Sequence, residues 1–368
     1  MNRITRTLML GTMALAIAGS AHAAQYAITD LGVLPGDVAS HATAINSTGQ
    51  VTGYSQNAES SNTITRAFMY SAGSMTDIGA ATGHTYSRAN GMNDSGQVVG
   101  YSQVTLDLPY NAFIYDNGTV TTLDDLGGGS ASAAAINNDG TAVGWSSVDS
   151  SLYRQPVVWN GTEATGIDVP SGYLGGEATA VNAHGQAAGV SFGQYGARHA
   201  FLFSDGVTTN LGTLDGNSSS RALGMNDLGQ VVGQSFFGSA EDRAFLYRDG
   251  SMIDLGVLAG HNRSSAFDIN NNGQVVGVSS NPDAGVQRGF LYEDGTMIDL
   301  LTLLSADDAA NWDPDLIGVS INDSGLITGT GYIDGETHAF VMTPVPLPPA
   351  LWLLGTGLMA LLGFGIRK

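Results

Sequence analysis

The chain has 368 residues, with 33 acidic side chains against 13 basic ones, 51 glycines, no cysteine and 12% charged residues. A formal charge of −20 argues against a nucleic-acid partner, because phosphate binding needs a Lys/Arg surface, and 43% hydrophobic residues argue against a disordered polyelectrolyte. The length suits two or three domains or one large all-β body.

The first 23 residues read as a signal peptide. Arg3 and Arg6 precede an apolar run from Leu8 to Gly19, and Ala21-His22-Ala23 offers a small-x-small cleavage site at Ala21 and Ala23. A membrane anchor is disfavoured, since the run is near a dozen residues and a span needs about 20. An exported chain without Cys must take its stability from core burial rather than disulfides.

Between 24 and 343 one unit recurs seven times. Its marker is an apolar residue, Asn, two turn residues, Gly, and a short apolar run ending in Gly. It starts at Asn46, Asn93, Asn137, Asn182, Asn226, Asn270 and Asn322, with spacings of 47, 44, 45, 44, 44 and 52. Each unit holds four strand-like pieces. In one of them Ala244-Phe245-Leu246-Tyr247, Met252-Ile253-Asp254-Leu255, Ala266-Phe267-Asp268-Ile269 and Gln274-Val275-Val276-Gly277 are separated by Asp/Asn/Gly turns or a Gly-rich loop. Such turns are hairpin signals, because Gly and Asn supply the positive φ they need. Four antiparallel strands per roughly 45 residues is the pattern of a β-propeller blade.

The ends of the array predict a closed ring. The first unit lacks an Ala-Phe strand before Tyr26–Leu31, and the last strand, Ala339-Phe340-Val341-Met342, lacks a successor, so each strand type occurs seven times. The expectation is an all-β, seven-bladed propeller closed by pairing of the N- and C-terminal strands, with Ala339–Met342 completing a blade begun by three N-terminal strands. An open solenoid would leave unpaired edges. The phenylalanines Phe113, Phe201, Phe245 and Phe290 are expected in the core, and the Gly closing each Val-Val run where blades converge or the chain bends.

The pieces His199-Ala200-Phe201-Leu202 and His338-Ala339-Phe340-Val341, with Arg66 and Arg243 heading variants, precede Asp-Leu-Gly and Ile-Asn-x-x-Gly-Gln-Val-Val-Gly segments. This pattern resembles the HAF repeats of bacterial extracellular proteins from Tyr26 to Met342. The resemblance implies location and architecture rather than a reaction. The last unit departs from it by an insertion at Leu301–Leu316, where Ser305-Ala306-Asp307-Asp308 is positioned to cap a short helix before Trp312.

No catalytic residue is assigned. Gly189-Val190-Ser191-Phe192-Gly193 matches G-x-S-x-G, but six units carry Ser at that position and a nucleophile elbow needs a strand, a sharp turn and a helix. The histidines form no H-E-x-x-H arrangement, and His199 and His338 share a slot with Arg66 and Arg243, which reads as a strand-flanking polar position. No cofactor is expected. The alternative is calcium at oxygen-rich turns, with Asp94, Asp139, Asp227 and Asp323 as the metal candidates. Turn geometry already accounts for Asn and Gly there.

Segment 344–349 is a Pro-rich spacer, 350–366 is an uncharged apolar stretch read as a transmembrane helix, and Arg367 and Lys368 (367–368) form a basic tail. Spacer, apolar helix and terminal cations together resemble the PEP-CTERM sorting tail of Gram-negative bacteria, with Val345, Pro346, Leu347 and Pro348 as a Val-Pro-Leu-Pro variant of the motif. The resemblance implies an exosortase-type processing enzyme as a partner and transient anchoring in the inner membrane. Loss of both ends removes four of the 13 basic residues and none of the acidic ones, leaving nine against 33, a net of −24.

The expected function is an exported surface or extracellular-matrix protein that binds or scaffolds, with polysaccharide or another surface protein as partner. The alternative is a carbohydrate-active lyase or hydrolase with carboxylates gathered at one mouth of the ring.

Overall fold

Two kinds of tight turn fold the repeats. Asp249 and Gly250 both take positive φ (51° and 76°) and join Arg243–Arg248 to Ser251–Asp254. Asn46 starts the other kind: its Oδ1 accepts from the N–H of Thr48 (3.1 Å) and Gln50 (2.9 Å), and Gly49 has φ 80°. Each turn closes a hairpin inside one sheet, whereas the longer Gly-rich loop crosses to the next sheet.

The computed structural model describes residues 26–58, 63–105, 109–149, 153–236 and 242–345. They form seven four-stranded antiparallel sheets, the blades of a β-propeller. Blade 1 runs from its inner strand Ala39–Ile45 through Val51–Gln56 and Thr65–Ser71 to the outer strand Ser74–Asp77. Blades 2 to 6 repeat that order, with inner strands Tyr86–Met92, Ala131–Ile136, Tyr173–Val181, Ser219–Met225 and Arg263–Ile269. Blade 7 takes Ile317–Ile321, Ile327–Ile333 and Glu336–Pro344 from the C-terminal side, and its outer strand is Tyr26–Asp30. Ile28 lies opposite Met342 and Asp30 opposite Phe340.

The expected pairing of chain ends is present, but the grouping differs. One N-terminal strand completes three C-terminal ones, not the reverse. The Phe-Leu-Tyr piece that opens the repeat in sequence is the third strand in space, because the blade boundary falls at the long loop.

The apolar core is divided into seven clusters, one at each junction between neighbouring blades. Phe113, Phe201, Phe245 and Phe290 are buried in four of them. Each sheet therefore buries both faces only when it has a neighbour on both sides, so closure of the ring is part of core formation. The insertion enlarges the cluster between blades 6 and 7 with Leu303, Trp312 and Leu316. As expected, Ser305 caps the short helix Ala306–Ala309 by accepting from the N–H of Asp308 (3.1 Å).

Every inner strand carries a β-bulge, at Thr43, Asn90, Ala134, Thr179, Leu223, Phe267 and Val319. The Gly that ends each Val-Val run sits against it. A Cβ at Gly233 would lie 2.0 Å from the carbonyl oxygen of Arg221, and one at Gly53 would lie 1.9 Å from that of His41. This glycine is required by close approach of two backbones rather than by a bend in its own strand.

The cleavage residues Ala21 and Ala23, the motif residues Pro346, Leu347 and Pro348, and the membrane helix expected at 350–366 lie outside the described residues. Among the described residues no helix is long and apolar enough to cross a membrane.

Candidate functional site at the channel mouth

The seven bulged residues point into a central cavity of about 830 Å³, within the range of small-molecule and glycan sites. The two ends of this channel differ in chemistry.

At the end formed by the Asn turns, the side-chain amide of each marker Asn donates to the backbone carbonyl of its counterpart in the next blade. Asn46 donates to Asn93 (3.2 Å), Asn93 to Asn137 (3.0 Å) and Asn137 to Asn182 (3.0 Å). Asn182 follows to Asn226 (3.2 Å), Asn226 to Asn270 (3.0 Å), Asn270 to Asn322 (2.9 Å) and Asn322 back to Asn46 (2.8 Å). All seven are buried. The next position adds a second, interrupted set of links: Asp94 accepts from the N–H of Ser47 (2.8 Å), Asp227 from that of Ala183 (2.8 Å), and Asp323 from that of Asn271 (2.8 Å).

The metal candidates Asp94, Asp227 and Asp323 are thus brought to one mouth, while Asp139 stands one residue further on and is exposed. Burial works against ionisation of Asp94, yet the N–H of Ser47 and the amide of Asn138 hold its carboxyl below the usual value. These carboxylates are occupied by neighbouring backbone, and among the described residues no group of three His, Asp or Glu is disposed to hold a metal ion.

Inside the channel Asp268 replaces the small residues of the equivalent strand positions. Burial pushes its carboxyl up to about 6, against the hydrogen bonds from Ser320, Ile321 and Ile269. Oδ2 accepts from the Ser320 hydroxyl (2.7 Å) and the Ile321 N–H (3.0 Å), and Oδ1 from the Ile269 N–H (2.9 Å). The carboxylate clasps blade 6 to blade 7.

The opposite mouth is where the inner and third strands begin, and it carries eight of the nine described arginines; Arg248 is the exception. On the outer rim the third strand places a base against an Asp of the fourth: Arg66 with Asp77 (2.9 Å), Arg243 with Asp254 (3.8 Å), Arg288 with Asp299 (3.9 Å) and His338 with Asp30 (2.9 Å). The shared slot of His199 and His338 is the strand-flanking polar position expected from the sequence. His199 meets the hydroxyl of Tyr173 there, and burial lowers its pKa. Ser191 lies opposite His199 in register, fully buried, with no hydrogen bond to its Oγ, in a strand that runs on to Gly193 without an elbow.

Nearer the channel, blades 1 to 3 carry an aromatic arc absent from the sequence-derived candidates. His41 stacks on Tyr54 (centroids 4.7 Å apart, 21°), and the Arg88 guanidinium lies 4.2 Å over the other partner of that stack, the Tyr54 ring. Tyr101 and Tyr110 meet edge to face at 4.6 Å, and Tyr110 meets Trp145 at 5.6 Å. Arg154 lies 4.0 Å over the Trp145 ring and pairs with Glu177 at 2.9 Å. Tyr54, Tyr101 and Trp145 hold the same strand position, directly after the bulge-facing Gly, where blades 4 to 7 have Val190, Gln234, Val278 and Thr330. All three are half-buried. The signal was legible in the repeat alignment as Gly-Tyr-Ser, Gly-Tyr-Ser and Gly-Trp-Ser against non-aromatic counterparts.

Fold and mouth together define a seven-bladed β-propeller with a ligand-sized channel and an aromatic, arginine-bearing rim. No protein-family model matches the chain, and no curated protein does. Among solved structures, it is similar to prolyl endopeptidases at 9% identity and a TM-score of 0.50, over 88% of this chain and 51% of theirs. It is also similar to the acylaminoacyl peptidase of Pyrococcus horikoshii (13% identity, TM-score 0.49, 82% of this chain and 52% of that one). A third likeness is to a gluconolactonase of Xanthomonas campestris (12% identity, TM-score 0.42, 89% and 93%). The chain spans about half the length of the peptidases it matches, and at these identities the likeness concerns the fold alone.

Proposed function

We propose that the protein is an exported binding module of the cell surface or extracellular matrix, and that it engages polysaccharide at the aromatic mouth. The observation that carries this reading is the arc of Tyr54, Tyr101, Tyr110 and Trp145, interleaved with Arg88 and Arg154. Pyranose rings present C–H faces that pack on aromatic rings, and their hydroxyls pair with planar polar side chains; half-buried rings fixed by neighbouring guanidiniums are preorganised for this contact. The alternative, a lyase or hydrolase, has Asp268 as its best carboxylate, but the hydrogen bonds from Ser320, Ile321 and Ile269 already engage both oxygens.

Export follows from the signal peptide at 1–23, and delivery to the surface from the tail beginning at Val345. On this reading an exosortase-type enzyme cuts near Val345-Pro346-Leu347-Pro348 after the segment 350–366 has held the chain in the inner membrane. Mass spectrometry of the native C-terminus tests that part: an intact Lys368 would refute processing. The binding part is tested by titrating the full chain with a panel of neutral and acidic oligosaccharides, following Trp fluorescence and heat. Binding to at least one class, lost in Trp145→Ala, is expected. Failure of every oligosaccharide, or undiminished binding in that variant, would remove the reading.

A further inference from the structure

The mouth has a second half, built by blades 4 to 6, and its chemistry is different. Arg198 is exposed at the start of its strand, with Phe192 5.5 Å from its guanidinium carbon as the ring it faces. Arg221 occupies the same inner-strand position as His41, a residue that lines the channel. Neither arginine has a carboxylate within ion-pair distance among the described residues, whereas the rim arginines Arg66, Arg243 and Arg288 are each neutralised by Asp.

Arg221 is poorly accommodated by the protein alone. Its Nε is buried and has no hydrogen-bond acceptor. Burial, and then the positive charge of Arg198, lower its pKa, and Asp242 and Glu177 only partly offset this. Those two carboxylates have other partners: Glu177 takes Arg154 at 2.9 Å, and Oδ2 of Asp242 takes the amide of Gln234 at 3.0 Å.

Beside these unused donors stand unused acceptors. Oδ1 of Asp242 and Oδ1 of Asn262 are buried without a donor. The two residues are neighbours, because Nη1 of Arg243 donates to the backbone carbonyls of both. Buried polar atoms left unpaired are costly, and Arg221, Asp242 and Asn262 each carry one. The complement required is specific. It must offer an anionic acceptor to two guanidiniums.

We propose that Arg198 and Arg221 form the anchor for the carboxylate of a uronic-acid unit. This deepens the glycan reading and rests on it: the aromatic arc of blades 1 to 3 stacks sugar rings of any charge, and the blade 4 to 6 half selects an acidic residue. Carboxylate matches the fork of a guanidinium geometrically. The net charge of the protein does not forbid it, since charges beyond about 8 Å are screened at physiological salt while the anchor acts in contact.

The test is calorimetric titration of the full chain with trigalacturonate and, separately, with cellotriose as a neutral trisaccharide. The wild type is expected to bind trigalacturonate at least tenfold more tightly, with affinity falling as NaCl rises. Arg221→Gln and Arg198→Ala are each expected to reduce trigalacturonate affinity tenfold or more and to leave cellotriose within twofold. The exposed position of Arg198 makes its variant decisive should Arg221→Gln fold poorly. Equal wild-type affinity for both sugars, or a preference that survives Arg198→Ala, overturns the anchor while the glycan reading stands. Binding of neither sugar, extended to the wider oligosaccharide panel, overturns both.

Discussion

The side-chain amide of Asn322 donates to the backbone carbonyl of Asn46 at 2.8 Å, across 276 positions of sequence. This bond completes a circuit in which each marker Asn holds its own turn with Oδ1 and the next blade with Nδ2. The circuit reads in one direction round the ring, so each blade is both clasped and clasping.

Asn322→Ala removes the acceptor for the N–H groups of Ser324 and Leu326 as well as the bond to Asn46. A loss of about 2 to 4 kcal/mol is expected from groups left unpaired in a buried site. Urea unfolding measures it; a change below about 0.5 kcal/mol would show that the circuit is incidental to stability.

Two glycines should respond differently to the same substitution. Gly233→Ala places a Cβ 2.0 Å from the Arg221 carbonyl oxygen and should cost about 3 kcal/mol, because backbone has to move. Gly250→Ala meets nothing within 4 Å and suffers only from φ 76°, so about 1 kcal/mol is expected. Thermal unfolding of both variants would contradict the bulge argument if their order were reversed.

The pH dependence of stability should carry the signature of Asp268. Its folded pKa of about 6 is raised from 3.8, so its contribution to stability is fully present below about pH 4 and lost as pH rises through about 6. The loss is at most roughly 3 kcal/mol for a two-unit shift. Asp268→Asn keeps an uncharged side chain at every pH. The Tm of the variant minus that of the wild type should therefore grow between pH 4.5 and 7.5. A difference that stays flat or shrinks would mean that the carboxyl is not strained by burial.

Removal of residues up to Leu31 takes away the strand that pairs with Glu336–Pro344. The exposed edge should lower Tm and promote dimers or larger species, detectable by light scattering. A monomer of unchanged Tm would show that the outer strand is dispensable for closure.

Much of the fold was legible because the repeat is strict. Seven Asn markers and the strand count at the two ends predict the ring, and the Ser305 cap was readable from four residues. The boundary of a blade was not, since a cyclic pattern looks the same from any starting strand and only the lengths of the crossing loops distinguish one phase from another. The aromatic half of the mouth was partly visible, in the column that holds Tyr54, Tyr101 and Trp145. Tyr110 lies outside that column and joins the arc only through contact with Tyr101 and Trp145.

By itself, the sequence determined the period, the turns, the closure of the ring and the acidic character of the body, because these depend on local conformational preference and on counting. The tertiary structure decided the second use of each residue. Asn46 and its counterparts become interblade clasps, Gly233 yields space to a bulge on another strand, and Arg221 takes up the influence of the Arg198 charge while neither forms an ion pair. Such roles arise from distance between strands of different blades, which no single repeat contains.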